Sequence, residues 1–408
     1  MIKFAIIKER KTPPDRRVVF SHEKLKEVVQ KFTEASFKIE SSAIRVFTDD
    51  EYREAGFEVS EDVSNCDVML GVKEVPIPDL IPNKKYFFFS HTIKKQPYNQ
   101  DLLRAILKNN IELYDHEVIV KENGHRLIGF GRYAGLVGAY NGFRALGLRD
   151  GLFDLSKAEN LADLKSMLAE LDKIEIPPRK ILLSGSGKVG LGAKEILDHL
   201  KIKQVDVSNY LNIEYNESVY CIIDVMDYNK RLDGGKGSIR DFYNHPEKYA
   251  SNFKRFAHVT NMYIAGHFYG DGAPKFFTRE DAASPDFKID LIADISCDIN
   301  GPIASTIRPS TIAYPFYGYD PQTGGEVDFR QKGAITVMAV DNLPCELPKD
   351  ASEGFGEMFL KQVIPAFFNG DKNGILKRAK MTENGKLTAR FQYLQDFVND
   401  IPKTNEYV

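Results

Sequence analysis

Two side chains that can move protons near neutral pH stand directly after apolar runs. Lys73, followed by Glu74, comes after Val68-Met-Leu-Gly-Val72, and His91 comes after Phe87-Phe-Phe-Ser90. A desolvated strand end draws a lysine pKa down toward neutrality, and an imidazole titrates there already, so the two form a candidate acid–base pair. Either residue alone also fits a solvated strand terminus or a satisfied histidine; finding both at matching strand ends favours chemistry. Arg16, in the loop after the first strand, and Arg126, beside Leu127-Ile-Gly-Phe130, are candidates to grip a carboxylate with two parallel hydrogen bonds, against the plain alternative of a surface arginine. Glu117 and Asp298 also follow apolar segments and could tune neighbouring cations.

A second kind of chemistry is written into Lys180-Ile-Leu-Leu-Ser-Gly-Ser-Gly-Lys-Val-Gly-Leu-Gly-Ala193. Gly185, Gly187 and Gly190, with Ser186, Lys188 and Val189 between them, have the G-x-G-x-x-G spacing of a dinucleotide phosphate cradle at a strand-to-helix turn. Such a motif alone also occurs in Gly-rich turns without a ligand. Its setting argues for the cradle: Ala193, Ile196, Leu197 and Leu200 recur at helical spacing, and Lys201–Val207 reads as the next strand. Asp206 then falls about twenty residues after the first glycine, where a carboxylate can hold the adenosine ribose, or serves as an ordinary strand-end turn residue. A carboxylate there repels a 2′-phosphate, which favours NAD over NADP.

These groups need a scaffold. Phe4–Ile7, Val68–Val72 and Tyr86–Phe89 read as strands, Ser21 caps a helix carrying Leu25, Val28, Val29 and Phe32, and strands alternating with helices imply a parallel sheet. After the glycine motif, Tyr220–Asp224, Met262–Ala265 and Leu291–Ile295 continue a second strand series. The expected fold class is α/β, with a discontinuous substrate domain of 1–133 plus 335–408 and a dinucleotide-binding domain of 134–334. Residues 151–178 are expected to contain the hinge, and 227–253 to form a lid or irregular insert.

Composition excludes several classes. The chain has 408 residues, 43% of them apolar and 28% charged, with a net charge of -3, which is ordinary globular composition without the basic field nucleic acid requires. Its four cysteines, Cys66, Cys221, Cys297 and Cys345, lack metal-ligand spacing, so no metal is expected and structural thiols in a reducing compartment are. Charge interrupts the first apolar run too early for a signal peptide, and no run reaches membrane-spanning length, which predicts a cytoplasmic protein. Oligomeric state is left open.

Taken together, Lys8-Glu-Arg-Lys11 with Arg16, Gly71-Val-Lys-Glu-Val-Pro76, Leu113-Tyr-Asp-His-Glu117, Arg126–Ala134, Asp294-Ile-Ser-Cys-Asp298 and Val340-Asp-Asn-Leu-Pro344 resemble the alanine dehydrogenase and saccharopine dehydrogenase superfamily. Phe88-Phe-Ser-His-Thr-Ile-Lys-Lys-Gln96, Asn244–Phe253, Thr278-Arg-Glu-Asp281 and Ile312–Asp320 are similar to the lysine-ketoglutarate reductase portion of the bifunctional lysine-degrading enzymes, the L-lysine-forming branch. The resemblance implies two Rossmann-like doubly wound domains flanking an interdomain cleft. There lysine condenses with 2-oxoglutarate, and NAD or NADP in reduced form converts the imine to saccharopine. It further implies Lys73 and His91 as acid–base groups tuned by Glu74 and Glu117, Arg16 and Arg126 on substrate carboxylates, and Asp298 near the nicotinamide. One departure stands out: Pro14 occupies the place of the second glutamate in the superfamily's K-E-x-K-x-x-E-x-R pattern. Two alternatives remain at this level, an alanine dehydrogenase-like amino-acid dehydrogenase and a nucleotide-binding module without catalysis.

Overall fold

From the N-terminus, strands β1 (Ile2–Ile6), β2 (Ala35–Glu40), β3 (Glu58–Ser60), β4 (Val68–Lys73), β5 (Lys85–Phe89) and β6 (Glu112–Asp115) build an all-parallel sheet in the order β3-β2-β1-β4-β5-β6. The runs in β4 and β5 are apolar throughout because helices cover both faces, so neither face can be polar. The helix His22–Lys31 begins where the Ser21 hydroxyl accepts the Lys24 N–H, and it buries Leu25 and Val28. The order reverses between β1 and β4, which opens a crevice at the carboxyl ends of those strands.

The computed structural model describes residues 1–399, and within them the chain forms two units, 1–129 with 348 onward, and 130–347. The returning segment joins the first unit through the helix Pro348–Gln362. Its Ser352 hydroxyl accepts the Val18 N–H, and its Phe359 ring stands 5.5 Å from that of Phe20. A break at Val363, two residues ahead of Pro365, ends this helix, and a second one, Ile364–Phe368, follows.

The second unit holds β7 (Lys180–Ser184), β8 (Lys203–Gln204), β9 (Val219–Ile223), the hairpin β10 (Asn229–Arg231) and β11 (Tyr249–Ser251), then β12 (Met262–Ala265), β13 (Leu291–Asp294), β14 (Phe316–Tyr319), β15 (Glu326–Val327) and β16 (Ile335–Met338). Its main sheet runs β8-β9-β7-β12-β13-β16-β14-β15, parallel as far as β16 and antiparallel beyond it. The helices Gly131–Asp150 and Lys188–His199 touch backbone to backbone: a Cβ on Gly135 would stand 2.0 Å from the Val189 carbonyl oxygen.

Several expectations change. Residues 335–347 belong to the second unit, because Ile335–Met338 pairs with β13 and β14; the chain crosses between units at 129/130 and 347/348 rather than at 133/134 and 334/335. Residues 151–178 therefore lie wholly within one unit instead of at a crossing. The insert is ordered: Phe242, Tyr249 and Phe253 are buried in the second unit's core, and Phe253 stacks on Phe276 at 5.0 Å. Lys201–Val207 contributes only a two-residue edge strand, and Leu127–Phe130 is irregular, with the Leu127 N–H donating to the Ile119 carbonyl. No helix among the described residues is long and apolar enough to cross a membrane.

Candidate active site and dinucleotide cradle

In the first unit the chemistry-bearing side chains collect where β1, β4, β5 and β6 end. Strand β4 slips out of register with β5 between Leu70 and Lys73. A slip frees backbone groups that must find partners and re-aims the residue that follows. Glu9 takes two of them, one carboxyl oxygen accepting the Val72 N–H at 2.7 Å and the other the Lys73 N–H at 2.8 Å. His116 takes a third, donating through Nε2 to the Gly71 carbonyl at 2.8 Å, which fixes its tautomer. The end of β4 that carries Lys73 is thus held by groups that follow β1 and β6.

His91 is held just as firmly. Its φ of 56° is left-handed, a conformation a non-glycine residue keeps only when its surroundings impose it. Asp115 imposes it from below: one oxygen accepts the Ser90 N–H at 3.0 Å and the Ser90 hydroxyl, the other the Glu117 N–H at 2.7 Å. His91 Nδ1 faces Glu74 at 3.6 Å, an ion-pair distance, and the other Glu74 oxygen accepts from Lys11 Nζ at 2.6 Å.

Burial and charge sort the carboxyls into two classes. Burial pushes Glu9 up to about 8, aided by the negative charge of Asp15, so it is protonated at neutral pH. Burial likewise lifts Asp115 to about 6, although Ser90 and the Glu117 N–H oppose it. Burial would also raise Asp15, but the Arg17 guanidinium, with Lys73 behind it, reverses this and holds the carboxyl near 2. Glu74 follows the same pattern: His91 and Lys11 overcome its burial and bring it to about 2. Burial drives His116 down to about 4, so it is a neutral structural imidazole.

Of the residues expected from sequence, Lys73, Glu74, His91, Glu117 and Arg126 share this sheet edge, and Arg126 donates to Glu117 at 3.3 Å. Arg16 is exposed, whereas its neighbour Arg17 is buried and makes a two-pronged pair with Asp15, at 3.0 and 2.6 Å. The acid-x-arginine spacing expected at 14 and 16 also occurs one position later, in Asp15 and Arg17. Sequence reasoning missed Glu9, Asp15, Arg17 and Asp115; the one-residue shift of an acid-x-arginine spacing past two prolines was the available signal. Asp298 belongs to the second unit, in the turn after β13, where Gly301 N–H donates to its carbonyl. Buried Asp294 braces that turn, accepting from the Ser296 and Thr306 hydroxyls at 2.6 Å each.

The glycine motif forms the turn from β7 into the helix Lys188–His199. Gly185 has φ +94°, and a Cβ on Gly190 would lie 1.9 Å from the Gly185 carbonyl oxygen, so strand and helix meet only because both lack side chains. Nothing lies within 4 Å of the Cβ direction of Gly187, and Ser186, Gly187 and Lys188 are exposed. A helix start beside open space fits a pyrophosphate. Asp206, expected at the ribose, is exposed. It follows the edge strand β8, caps the helix Val207–Asn212, and spends both oxygens on Asn209, at 2.9 and 2.6 Å. Among the described residues no cluster of three or more His, Cys, Asp or Glu could hold a metal ion.

Residues 5–137 match the family described as alanine dehydrogenase/PNT, N-terminal domain. Across 87% of its length the chain is 30% identical to the alpha-aminoadipic semialdehyde synthase of Arabidopsis thaliana, of which it spans only 37%. It is 24% identical, over 85% of its length and 87% of the relative's, to the NAD-linked, L-lysine-forming saccharopine dehydrogenase of Candida glabrata. In fold it is similar to an L-alanine dehydrogenase, with a TM-score of 0.66 at 16% identity over 97% of this chain and all of that one.

Proposed function

We propose that this chain, whose residues 5–137 match the alanine dehydrogenase/PNT N-terminal domain, is an amino-acid dehydrogenase that joins lysine to 2-oxoglutarate and reduces the product to saccharopine. One observation carries the reading: Lys73 and His91 stand at the carboxyl ends of adjacent strands, with Glu74 paired to the imidazole. Likeness over most of this chain to alpha-aminoadipic semialdehyde synthases and saccharopine dehydrogenases supports the substrate class.

Condensation of an amine with a ketone forms a C–N bond and expels the ketone oxygen as water, so a proton must reach that oxygen. It also strips a proton from the attacking amine. His91 and Lys73 are the groups for these transfers, and Glu74 steadies the imidazolium while His91 carries a proton. Arg16 and Arg126 are the cations for the carboxylates of a diacid. A nicotinamide dinucleotide, its pyrophosphate held by Gly185–Gly190, would supply the hydride, and the nitrogen of the reduced imine takes up a proton to complete the secondary amine. Asp298 is proposed to lie near that ring.

The test follows NADH and NADPH oxidation by the purified protein with lysine plus 2-oxoglutarate, and separately with ammonia plus pyruvate. Turnover is expected with the first pair and lost by roughly 100-fold or more in Lys73→Met. Oxidation with the second pair alone would make the protein an alanine dehydrogenase, and nucleotide binding without turnover of either would make it a binding module. Unchanged turnover in Lys73→Met would remove that lysine from the proton path.

A further inference from the structure

The first unit holds a second charged feature, apart from the side chains gathered at its catalytic edge. A cavity of about 1410 Å³ is lined by Tyr114 of β6, the loop after that strand, and the returning segment between Gln362 and Arg390. All of its lining residues belong to the first unit, and Lys73, Glu74, His91, Glu117 and Arg126 are not among them. Six of the lining side chains are cationic and three are carboxylates, in a chain whose net charge is -3.

Two of the three carboxylates are already engaged. Asp371 spends both oxygens on its own segment, accepting the Leu376 and Lys377 N–H groups at 3.1 and 2.8 Å. Glu383 pairs with Lys380, which Glu112 also approaches at 3.4 Å. Lys121, Lys372, Lys377 and Arg390 are exposed, and among the described residues none of the four has a carboxylate within ion-pair distance. A solvated convex face scatters such charges. Here they converge on one hollow, where like charges repel one another and concentrate counter-ions.

Arg378 lines the same cavity and is half-buried; its Nε and Nη2 both donate to the Val120 carbonyl, at 3.2 and 3.1 Å. Val120 belongs to a short hairpin. It bridges Arg126, the Lys121 N–H donates to the His125 carbonyl at 2.8 Å, and the Leu127 N–H donates to the Ile119 carbonyl at 2.9 Å. Through one guanidinium the cavity wall therefore grips the hairpin that carries Arg126. A guanidinium held by a neutral carbonyl gains a stronger, charge-assisted partner when an anion arrives.

We propose that this cavity is an effector site for a polyanionic small molecule bearing phosphate or carboxylate groups, held by Lys121, Lys372, Lys377 and Arg390, and that the bound anion draws Arg378 off the Val120 carbonyl. Release of that carbonyl loosens the hairpin and with it Arg126, so the effector weakens the grip on a diacid substrate. The binding site stands on the cavity alone, whereas its effect on turnover rests on the dehydrogenase reading above.

Calorimetric titration of the full-length protein with tripolyphosphate, and separately with citrate, tests the site; the tighter of the two identifies the group recognised. Lys372→Gln/Lys377→Gln should bind that anion about tenfold or more weakly. Both lysines are exposed and outside the catalytic edge, so this variant folds and keeps wild-type turnover in the absence of anion. Hydrogen exchange reads the hairpin: the Lys121 and Leu127 amides should exchange about fivefold or more faster with the anion bound, and as fast in Arg378→Ala with none added. In activity assays the anion should raise KM for 2-oxoglutarate at unchanged kcat. The double lysine variant should abolish that rise, which separates it from competition at the substrate or glycine sites. Binding of neither anion, or binding undiminished in the lysine variant, would overturn the site, and unchanged exchange of both amides on binding would overturn the coupling. Absence of turnover with lysine and 2-oxoglutarate would overturn the dehydrogenase reading instead, leaving the calorimetry and exchange to judge the cavity.

Discussion

Asp15 and Arg17 form a single buried ion pair in the loop after β1. Both are almost fully buried and share two hydrogen bonds, so removing the carboxylate strands a guanidinium out of water. Asp15→Asn is expected to cost roughly 3 kcal/mol of unfolding free energy near neutral pH, measured by urea titration. The pH sign is fixed by the depressed carboxyl: its folded value is about 2 against an ordinary 3.8, so its stabilisation is complete above 3.8 and fades as pH falls toward 2. The variant should therefore lose less stability than the wild type on acidification through that window, and an identical acid limb would show that the pair is not what holds the loop. The sequence did not mark which arginine of this loop is buried, because burial is decided by how the segment after the two prolines turns back.

At the scale of the element, the strand-to-helix turn of the second unit separates packing from binding. Gly190 abuts the Gly185 carbonyl, and Gly187 faces open space. Gly190→Ala should overpack the turn and cost roughly 2 kcal/mol, seen as a lowered Tm, together with nucleotide affinity. Gly187→Ala should keep its Tm and lose affinity for NADH, because its methyl group would occupy the space left for phosphate. Equal Tm in the two variants would contradict this division. The glycine spacing was legible in the sequence since each position answers to a local steric demand. The strand order was not: the edge strand β8 and the helix Val207–Asn212 come before β9, the strand that lies beside β7.

Over the whole molecule, each unit carries one buried glutamate whose proton folding retains. Burial lifts Glu346 to about 8 in the second unit, where the Asn141 amide donates to it at 2.9 Å, as burial lifts Glu9 in the first. Between their ordinary value of 4.5 and 8 the unfolded chain has released these protons while the folded chain keeps them, so stability falls as pH rises, with the full penalty above 8. Glu346→Gln cannot ionise. Relative to the wild type it should gain on the order of 2 kcal/mol between about pH 5 and about pH 8 in denaturant unfolding, and a parallel pH dependence would refute the buried-proton account. The sequence by itself determined the α/β class, the principal strand cores, the glycine turn from strand to helix, and Lys73 and His91 as strand-end residues, because apolar runs and turn chemistry act over a few neighbouring residues. Only the tertiary structure decided that Ile335–Met338 closes the second sheet, that the insert is anchored in a core, that Arg17 rather than Arg16 is buried, and that β9 rather than β8 lies beside β7. Each of these depends on which distant segments pair, and strand order leaves no local mark in the chain.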